Sequence, residues 1–149
     1  MARLACALLL LLLAAACTPA AGPEVTNAWA RDTVGGTTNA AVFMTIRAHA
    51  ADRLIAASTP LARKTDLMTM ASGANAMAMT YVPGINLPAG EAVSLNPVGL
   101  HVWLDGLTQP LRAGHSVPLV LKFQNAGERH VTVTIIAPAA EPPTLQRRA

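Results

Sequence analysis

Four methionines form two pairs whose members are two residues apart. Met68 and Met70 are the first pair, Met77 and Met79 are the second, and the small-residue segment Ala71–Ala76 lies between them. A β-strand has a side-chain period of two, so both members of a pair would lie on one face of a strand. If Ala71–Ala76 turns the chain, pairing in register places Met70 opposite Met77 and Met68 opposite Met79. Four thioethers would then share one patch.

A histidine and a tryptophan follow on a later strand-like segment. His101 and Trp103 are also two apart, so the imidazole and the indole would share one face of a strand. Thioether sulfur and imidazole nitrogen are donors that suit a soft ion such as Cu(I). The indole N–H has no lone pair to donate, but the indole π face attracts cations. Methionine also fills irregular cores, and alternate methionines on two strands could equally form the buried face of a sheet.

The cysteines exclude one class of copper protein. The chain has only two, Cys6 and Cys17, and both lie in or directly after an apolar N-terminal run. A blue-copper electron-transfer site needs a cysteine thiolate and two histidines, so the remainder of the chain cannot form one. His49, His115 and His130 lie beside turns or on alternating strands, and we predict that none of them binds metal.

Composition argues against nucleic-acid binding and against catalysis. The 149 residues carry a formal net charge of +3, and aromatic residues make up only 3% of the chain. The basic residues are scattered apart from the pairs Arg63–Lys64 and Arg147–Arg148, whereas a nucleic-acid surface needs a basic stripe with stacking aromatics. The residues suggest no Ser/His/Asp or Cys/His arrangement, so we expect a protein that is not an enzyme.

Residues 1–16 predict a signal peptide of the lipoprotein type. Ala5–Ala16 is an apolar run that is too short to span a bilayer with margin. Small residues directly before Cys17 resemble a bacterial lipobox, so we expect Cys17 to carry a lipid. The alternative is ordinary cleavage a few residues later and a free soluble protein. Residues 17–23 are rich in small residues and proline, which is typical of a tether.

Residues 24–138 are predicted to form one all-β domain. Short segments rich in Val, Ile, Thr and Leu alternate with turns containing Gly, Pro, Asn and Asp. Strands at this spacing indicate an antiparallel β-sandwich or barrel. Residues 139–149 are predicted to be a disordered tail. The predicted strands are Val25–Arg31, Ala40–Ala48, Asp52–Ser58, Lys64–Met70, Ala76–Val82, Ala92–Leu95, His101–Leu104, Ser116–Gln124 and Arg129–Ile136.

A family resemblance covers nearly the whole predicted domain. Its most similar segments are Ala28–Arg31, Asp52–Pro60, Gly84–Gly90 and Leu111–Val120. With these segments the chain resembles the PCu(A)C family of periplasmic copper chaperones. The resemblance implies an antiparallel Greek-key β-sandwich or barrel of the cupredoxin type.

The copper motif of that family is spaced His-x10-Met-x21-His-x-Met. This chain keeps the spacing, with Met68 at the first position, Met79 at the second, His101 at the third and Trp103 at the last. The resemblance therefore implies Met68, Met79 and His101 as metal ligands. The residues expected around the ion, as a cation–π cap or a surrounding layer, are Trp103, Met70 and Met77.

The resemblance also implies a function. We expect a Cu(I)-binding metallochaperone, with Ag(I) as a mimic of the ion, that is located in the periplasm of a bacterial envelope. Its partners would be copper-donor and copper-acceptor proteins, with delivery toward cytochrome c oxidase and its assembly factors. It would contact the membrane only through the lipid on Cys17. The alternative is a degenerate site that binds no metal, in an assembly or interaction module of the same fold whose Met/Trp face contacts another envelope protein.

Overall fold

The computed structural model describes residues 22–73 and 76–143. Several predictions lie outside these residues, namely the signal peptide, lipidated Cys17, most of the tether and residues 144–149 of the tail. The side chains of residues 72–77, among them that of Met77, are also outside the description. The predictions that concern these parts of the chain stay predictions.

The described residues form ten β-strands and no helix. The all-β prediction is therefore confirmed, and no helix able to cross a bilayer occurs within residues 22–73 and 76–143. One strand was not predicted, because Ile85–Leu87 is only three residues long and lies between turn residues. The strands are β1 (Glu24–Arg31), β2 (Ala40–Arg47), β3 (Asp52–Ser58), β4 (Ala62–Gly73), β5 (Ala76–Tyr81), β6 (Ile85–Leu87), β7 (Ala92–Leu95), β8 (His101–Leu107), β9 (Ser116–Phe123) and β10 (Gly127–Ile136).

The strands belong to one sheet in the order β5-β4-β8-β2-β1-β10-β9-β3-β6, and β7 also pairs with β2. Every pair of strands is antiparallel except β1 with β10, where Trp29 lies opposite Thr134 in a parallel pair. The sheet is thus mixed, although only antiparallel pairing was predicted. The chain reaches β10 after a long excursion from β1, so no hairpin forces these two strands to be antiparallel.

One face of the sheet encloses the hydrophobic core. Val42, Val102 and Leu67 lie in one row across β2, β8 and β4, and each is at most 3% exposed. The sheet curls until β3 touches β4, where the Thr65 hydroxyl donates to the Ala57 carbonyl. The opposite half of the sheet adds Leu119, Leu121, Phe123, Val133 and Ile135, all buried. Because side chains alternate along a strand, the residues on either side of this row point to the outer face.

Candidate metal site

The β4–β5 hairpin determines which methionines are neighbours. Met70 lies opposite Met79, and Met68 lies opposite Tyr81. The predicted pairing of Met70 with Met77 and of Met68 with Met79 was therefore wrong, by two residues. A shift of one residue would have moved one strand's side chains to the other face, but a shift of two keeps the face. Met68, Met70 and Met79 thus remain on one side of the hairpin.

The predicted register was wrong because strand pairing extends further toward the turn than expected. Gly73 is the last residue of β4 and pairs with Ala76, the first residue of β5. The ladder therefore continues into the segment Ala71–Ala76, which was expected to turn as a whole. Small residues are weak strand formers, but pairing with a neighbouring strand overrides that preference. The same backbone register places Met77 opposite Ser72.

Strand β8 brings His101 to the methionine face. His101 lies directly opposite Met68 on β4, a position in which Cβ atoms are about 5 Å apart. Met79 is one strand further on and lies diagonally from Met68, since it is paired with Met70. A diagonal separation of about 7–8 Å is within reach of long side chains. The structure therefore places Met68 and His101 directly opposite each other, and Met79 lies on the next strand within reach of a long side chain.

The thioethers lie on the outer face of the sheet and not in the core. Leu67, which precedes Met68, is 3% exposed on the core side, whereas Met79 is 44% exposed. Met68 and Met70 are half-buried. The alternative in which the methionines form the buried face of the sheet is therefore not supported. Tyr81, which lies opposite Met68, is 62% exposed.

His101 is only 2% exposed although it lies on the outer face. Its Nδ1 atom is 2.9 Å from the carbonyl oxygen of Gly99, and the described residues offer the ring no other hydrogen bond. A carbonyl oxygen can only accept, so Nδ1 of the neutral ring carries the proton and donates. Nε2 then keeps its lone pair, which is the arrangement in which a histidine can bind a metal.

An aromatic layer buries the imidazole. The Phe43 ring centroid is 6.2 Å from that of His101, and the Trp103 centroid is 6.3 Å away at an interplanar angle of 73°. Trp29 packs against Phe43 at 4.6 Å and is itself 3% exposed. Rings at such distances and tilts attract one another. The layer leaves the imidazole little freedom to rotate.

The chain after β10 packs over the same layer. The Arg31 guanidinium lies 5.3 Å from the ring centroid of Trp29. It also donates to the carbonyl oxygens of Ala137, Pro138 and Ala140. Ala140, within the predicted tail, is therefore held close to the domain.

The acidic residue opposite Trp103 is already paired. Asp66 lies opposite Trp103, and its carboxylate is 2.8 Å from the Nζ atom of Lys64. Its side chain is only 17% exposed. The hydrogen bond and the charge of Asp66 raise the pKa of Lys64. Lys64 therefore stays protonated and keeps this carboxylate engaged.

The other histidines lie away from this arrangement. His49, His115 and His130 are all exposed. No group of three His, Cys, Asp or Glu side chains that could hold a metal ion is present in residues 22–73 and 76–143. That these three histidines are not ligands stays a prediction.

Three residues around the site were missed by the sequence analysis. Phe43 and Gly99 contact His101, but neither carries a local pattern that points to the site. Tyr81 follows Met77 and Met79 at the same period of two, and this spacing was the available signal. Its place opposite Met68 follows only from the register of the hairpin.

Comparison with known proteins places this chain in a family. Residues 24–135 match the family described as "Putative lipoprotein LpqE-like". The protein named "Putative lipoprotein Lxx21020" of Leifsonia xyli subsp. xyli is 29% identical over 115 residues, which are 76% of this chain and 69% of that protein.

Solved structures of PCuAC domains have the same fold as this chain. The copper-bound PCuAC domain from PmoF2 superposes with a TM-score of 0.67 at 25% identity, covering 78% of this chain and 93% of that one. CuI-DR1885 from Deinococcus radiodurans gives a TM-score of 0.61 at 28% identity, covering 82% and 85%. These structures confirm the cupredoxin-like fold and the resemblance to PCuAC domains. The chain belongs to the LpqE-like lipoprotein family and is built as a domain of the PCuAC type.

Proposed function

We propose that this protein is a lipid-anchored carrier of Cu(I) in the bacterial envelope. The observation that carries the proposal is the pairing of Met68 with His101, whose Nδ1 is occupied by the Gly99 carbonyl. A thioether and an imidazole whose Nε2 keeps its lone pair thus lie on opposing positions of two paired strands, with the imidazole buried among the aromatic rings. Two similar solved structures are described as copper-bound and as the CuI form, and this supports the same ion here.

The ligands proposed for the ion are Met68, Met79 and His101. Cu(I) favours soft donors and accepts three of them, because it imposes no strong geometric preference. Cu(II) prefers nitrogen and oxygen donors. Among the described residues this face supplies one imidazole, and the Asp66 carboxylate on the same strand as Met68 is paired with Lys64. The site should therefore select Cu(I), and Ag(I) should mimic it. Trp103 is proposed to cover one side of the ion through its π face.

A carrier must also release its ion. The proposed site lies on the outside of the sheet, and Met79, at 44% exposed, is open to an approaching protein. A partner can thus replace one thioether before the others dissociate. The partners that fit this exchange are copper donors and copper acceptors with soft ligands of their own. Delivery toward cytochrome c oxidase and its assembly factors is the proposed destination.

The anchor would leave the domain at the same end of the sheet as the methionine hairpin. Glu24 at the start of β1 lies opposite Arg47 at the end of β2. Strands β2 and β4 run in the same direction, because both are antiparallel to β8. The end of β4, which leads into the hairpin, is therefore at the Glu24 end. Cys17 precedes Gly22 by five residues, a span of about 17 Å at most, so a lipid there would hold the hairpin near the membrane.

A Cu(I) competition titration tests the proposed function. The mature chain, with Cys17→Ser to prevent lipidation, is titrated without oxygen against a chromophoric Cu(I) chelator. We expect one bound equivalent, lost in His101→Ala and retained in His115→Ala, which removes an exposed histidine elsewhere. Binding no greater than that of an unrelated β-sandwich would refute the carrier and favour the interaction module that binds no metal.

A further inference from the structure

The turn between β7 and β8 is organised by Asn96. Its backbone N–H donates to the Leu100 carbonyl at 2.8 Å, and its own carbonyl accepts from the Gly99 N–H at 3.1 Å. Its side-chain Oδ1 accepts from the Val98 N–H at 3.1 Å, and Nδ2 donates to the Ser94 carbonyl at 3.4 Å. An amide side chain that binds its own backbone in this way fixes a turn.

Gly99 packs directly on that amide. A Cβ atom added at Gly99 would lie 3.3 Å from Oδ1 and 3.5 Å from Nδ2 of Asn96. The first of these distances is tighter than ordinary van der Waals contact, so glycine at this position allows the close approach. The side chain of Asn96 and its backbone bonds together determine where Gly99 lies.

The Gly99 carbonyl accepts hydrogen bonds from two residues of the candidate site. It accepts from the backbone N–H of Met70 at 3.1 Å and from Nδ1 of His101 at 2.9 Å. One oxygen therefore ties β4 to the start of β8 and holds the imidazole. A carbonyl has two lone pairs and can accept both bonds at once.

We infer that Asn96 is a positioning residue for the metal site, acting through the carbonyl of Gly99. With the amide in place, the carbonyl faces Nδ1, the proton stays on Nδ1, and Nε2 is presented with its lone pair. Without it the turn loosens, the carbonyl loses its fixed direction, and the imidazole proton is shared between the two nitrogens. The metal-binding part of this inference rests on the proposed function, whereas the tautomer of His101 is a property of the metal-free protein. Outer partners that orient a metal-binding histidine are worth about 10–100-fold in metal affinity.

The test compares four proteins, all with Cys17→Ser: the parent, Asn96→Ala, Asn96→Asp and Asn86→Ala. Aspartate retains the oxygen that accepts from Val98, and Asn86 is an exposed asparagine on β6, which serves as the matched control. The first measurement is the pair of ¹⁵N shifts of the His101 imidazole, recorded without metal at pH 8. We expect the proton on Nδ1 in the parent, in Asn96→Asp and in Asn86→Ala, and a mixture of tautomers in Asn96→Ala.

The second measurement is Ag(I) affinity, determined by competition. We expect Asn96→Ala to bind about 10–100-fold more weakly, with Asn96→Asp and Asn86→Ala close to the parent. If Asn96→Ala does not fold, Gly99→Ala replaces it, because its Cβ displaces the turn by only a few tenths of an ångström. We expect that variant to show the same changes at smaller amplitude.

An unchanged tautomer in a folded Asn96→Ala protein overturns the inference, whatever happens to affinity. If the tautomer changes in Asn96→Ala but none of the four proteins binds Ag(I), the positioning role of Asn96 is supported and the proposed carrier function is refuted. Equal loss of affinity in Asn96→Ala and Asn86→Ala would also overturn the inference, because a general loosening of the domain would explain it.

Discussion

Replacing Met68 by leucine removes one thioether and leaves the volume of the side chain nearly unchanged. Met68 is half-buried on the outer face, so the substitution should change the free energy of unfolding by less than about 1.5 kcal/mol. Met79 and His101 lie on β5 and β8, on either side of the strand that carries Met68. With the middle donor gone, the two remaining ligands are too far apart to enclose the ion without rearrangement.

The size of the effect follows from the number of ligands. A site of nanomolar affinity binds with about −12 kcal/mol, and an equal share for each of three ligands is about 4 kcal/mol. Water or the neighbouring Met70 should recover part of that share. We therefore expect Met68→Leu to weaken Cu(I) binding by about 100-fold, which is about 2.7 kcal/mol.

Met70→Leu is the matched control for this prediction. Met70 lies on the same strand and the same face as Met68 and is also half-buried, but it is opposite Met79 and not opposite His101. We expect Met70→Leu to change the affinity less than about threefold, or by about 0.7 kcal/mol. A difference in Cu(I) affinity between Met68→Leu and Met70→Leu therefore shows which of the two thioethers binds the ion.

The assay is anaerobic competition for Cu(I), with thermal unfolding followed by circular dichroism to show that both variants are folded. The reasoning is refuted if Met70→Leu weakens binding as much as Met68→Leu or more. That result would assign the ion to the Met70–Met79 pair, away from His101.

Two further predictions concern the covering indole and a carboxylate remote from the site. Trp103→Leu should weaken Cu(I) binding about 2–30-fold, because a cation–π contact is worth about 0.5–2 kcal/mol; tighter binding in the competition assay would show that the indole obstructs the ion. The carboxylate of Asp52 accepts from the N–H groups of Arg53, Asn125 and Ala126 at 2.7, 2.9 and 2.9 Å. Burial acts to raise its pKa, but these backbone hydrogen bonds outweigh it and lower the pKa. Its stabilising contribution is thus complete above the ordinary aspartate pKa of about 3.9 and is lost as the pH falls through the lowered pKa. Asp52→Asn should reduce the free energy of unfolding in urea by about 1 kcal/mol at pH 7. The difference in stability between parent and variant should shrink as the pH falls toward about 2, and a difference that does not change with pH would contradict this.

The strands were predictable where alternation of apolar residues is long enough to show. β3 and β7 have the predicted bounds, and the buried positions of β9 follow its period of two. β6 was missed because three residues between turn signals carry no period. The parallel contact of β1 with β10 was also missed, because pairing between distant strands is decided by packing of the whole domain and leaves no local pattern.

The candidate site was predictable in its residue types and faces but not in its register. The period of two correctly placed the described thioethers on one side of the hairpin, because a register shift of two residues leaves side chains on the same face. The pairing of Met68 with His101 joins segments more than thirty residues apart in sequence and could be suggested only by a family resemblance. The Gly99 carbonyl was beyond prediction, since every residue carries such an oxygen and only the folded turn directs this one at the imidazole.

X-ray absorption spectroscopy of the protein loaded with one equivalent of Cu(I) tests the central claim most directly. The proposed ligands Met68, Met79 and His101 should appear as two sulfur atoms and one nitrogen around the copper. His101→Ala should remove the nitrogen or abolish loading, while the distant His115→Ala should leave the spectrum unchanged. A copper environment without sulfur, or one that is the same with and without His101, would contradict the account.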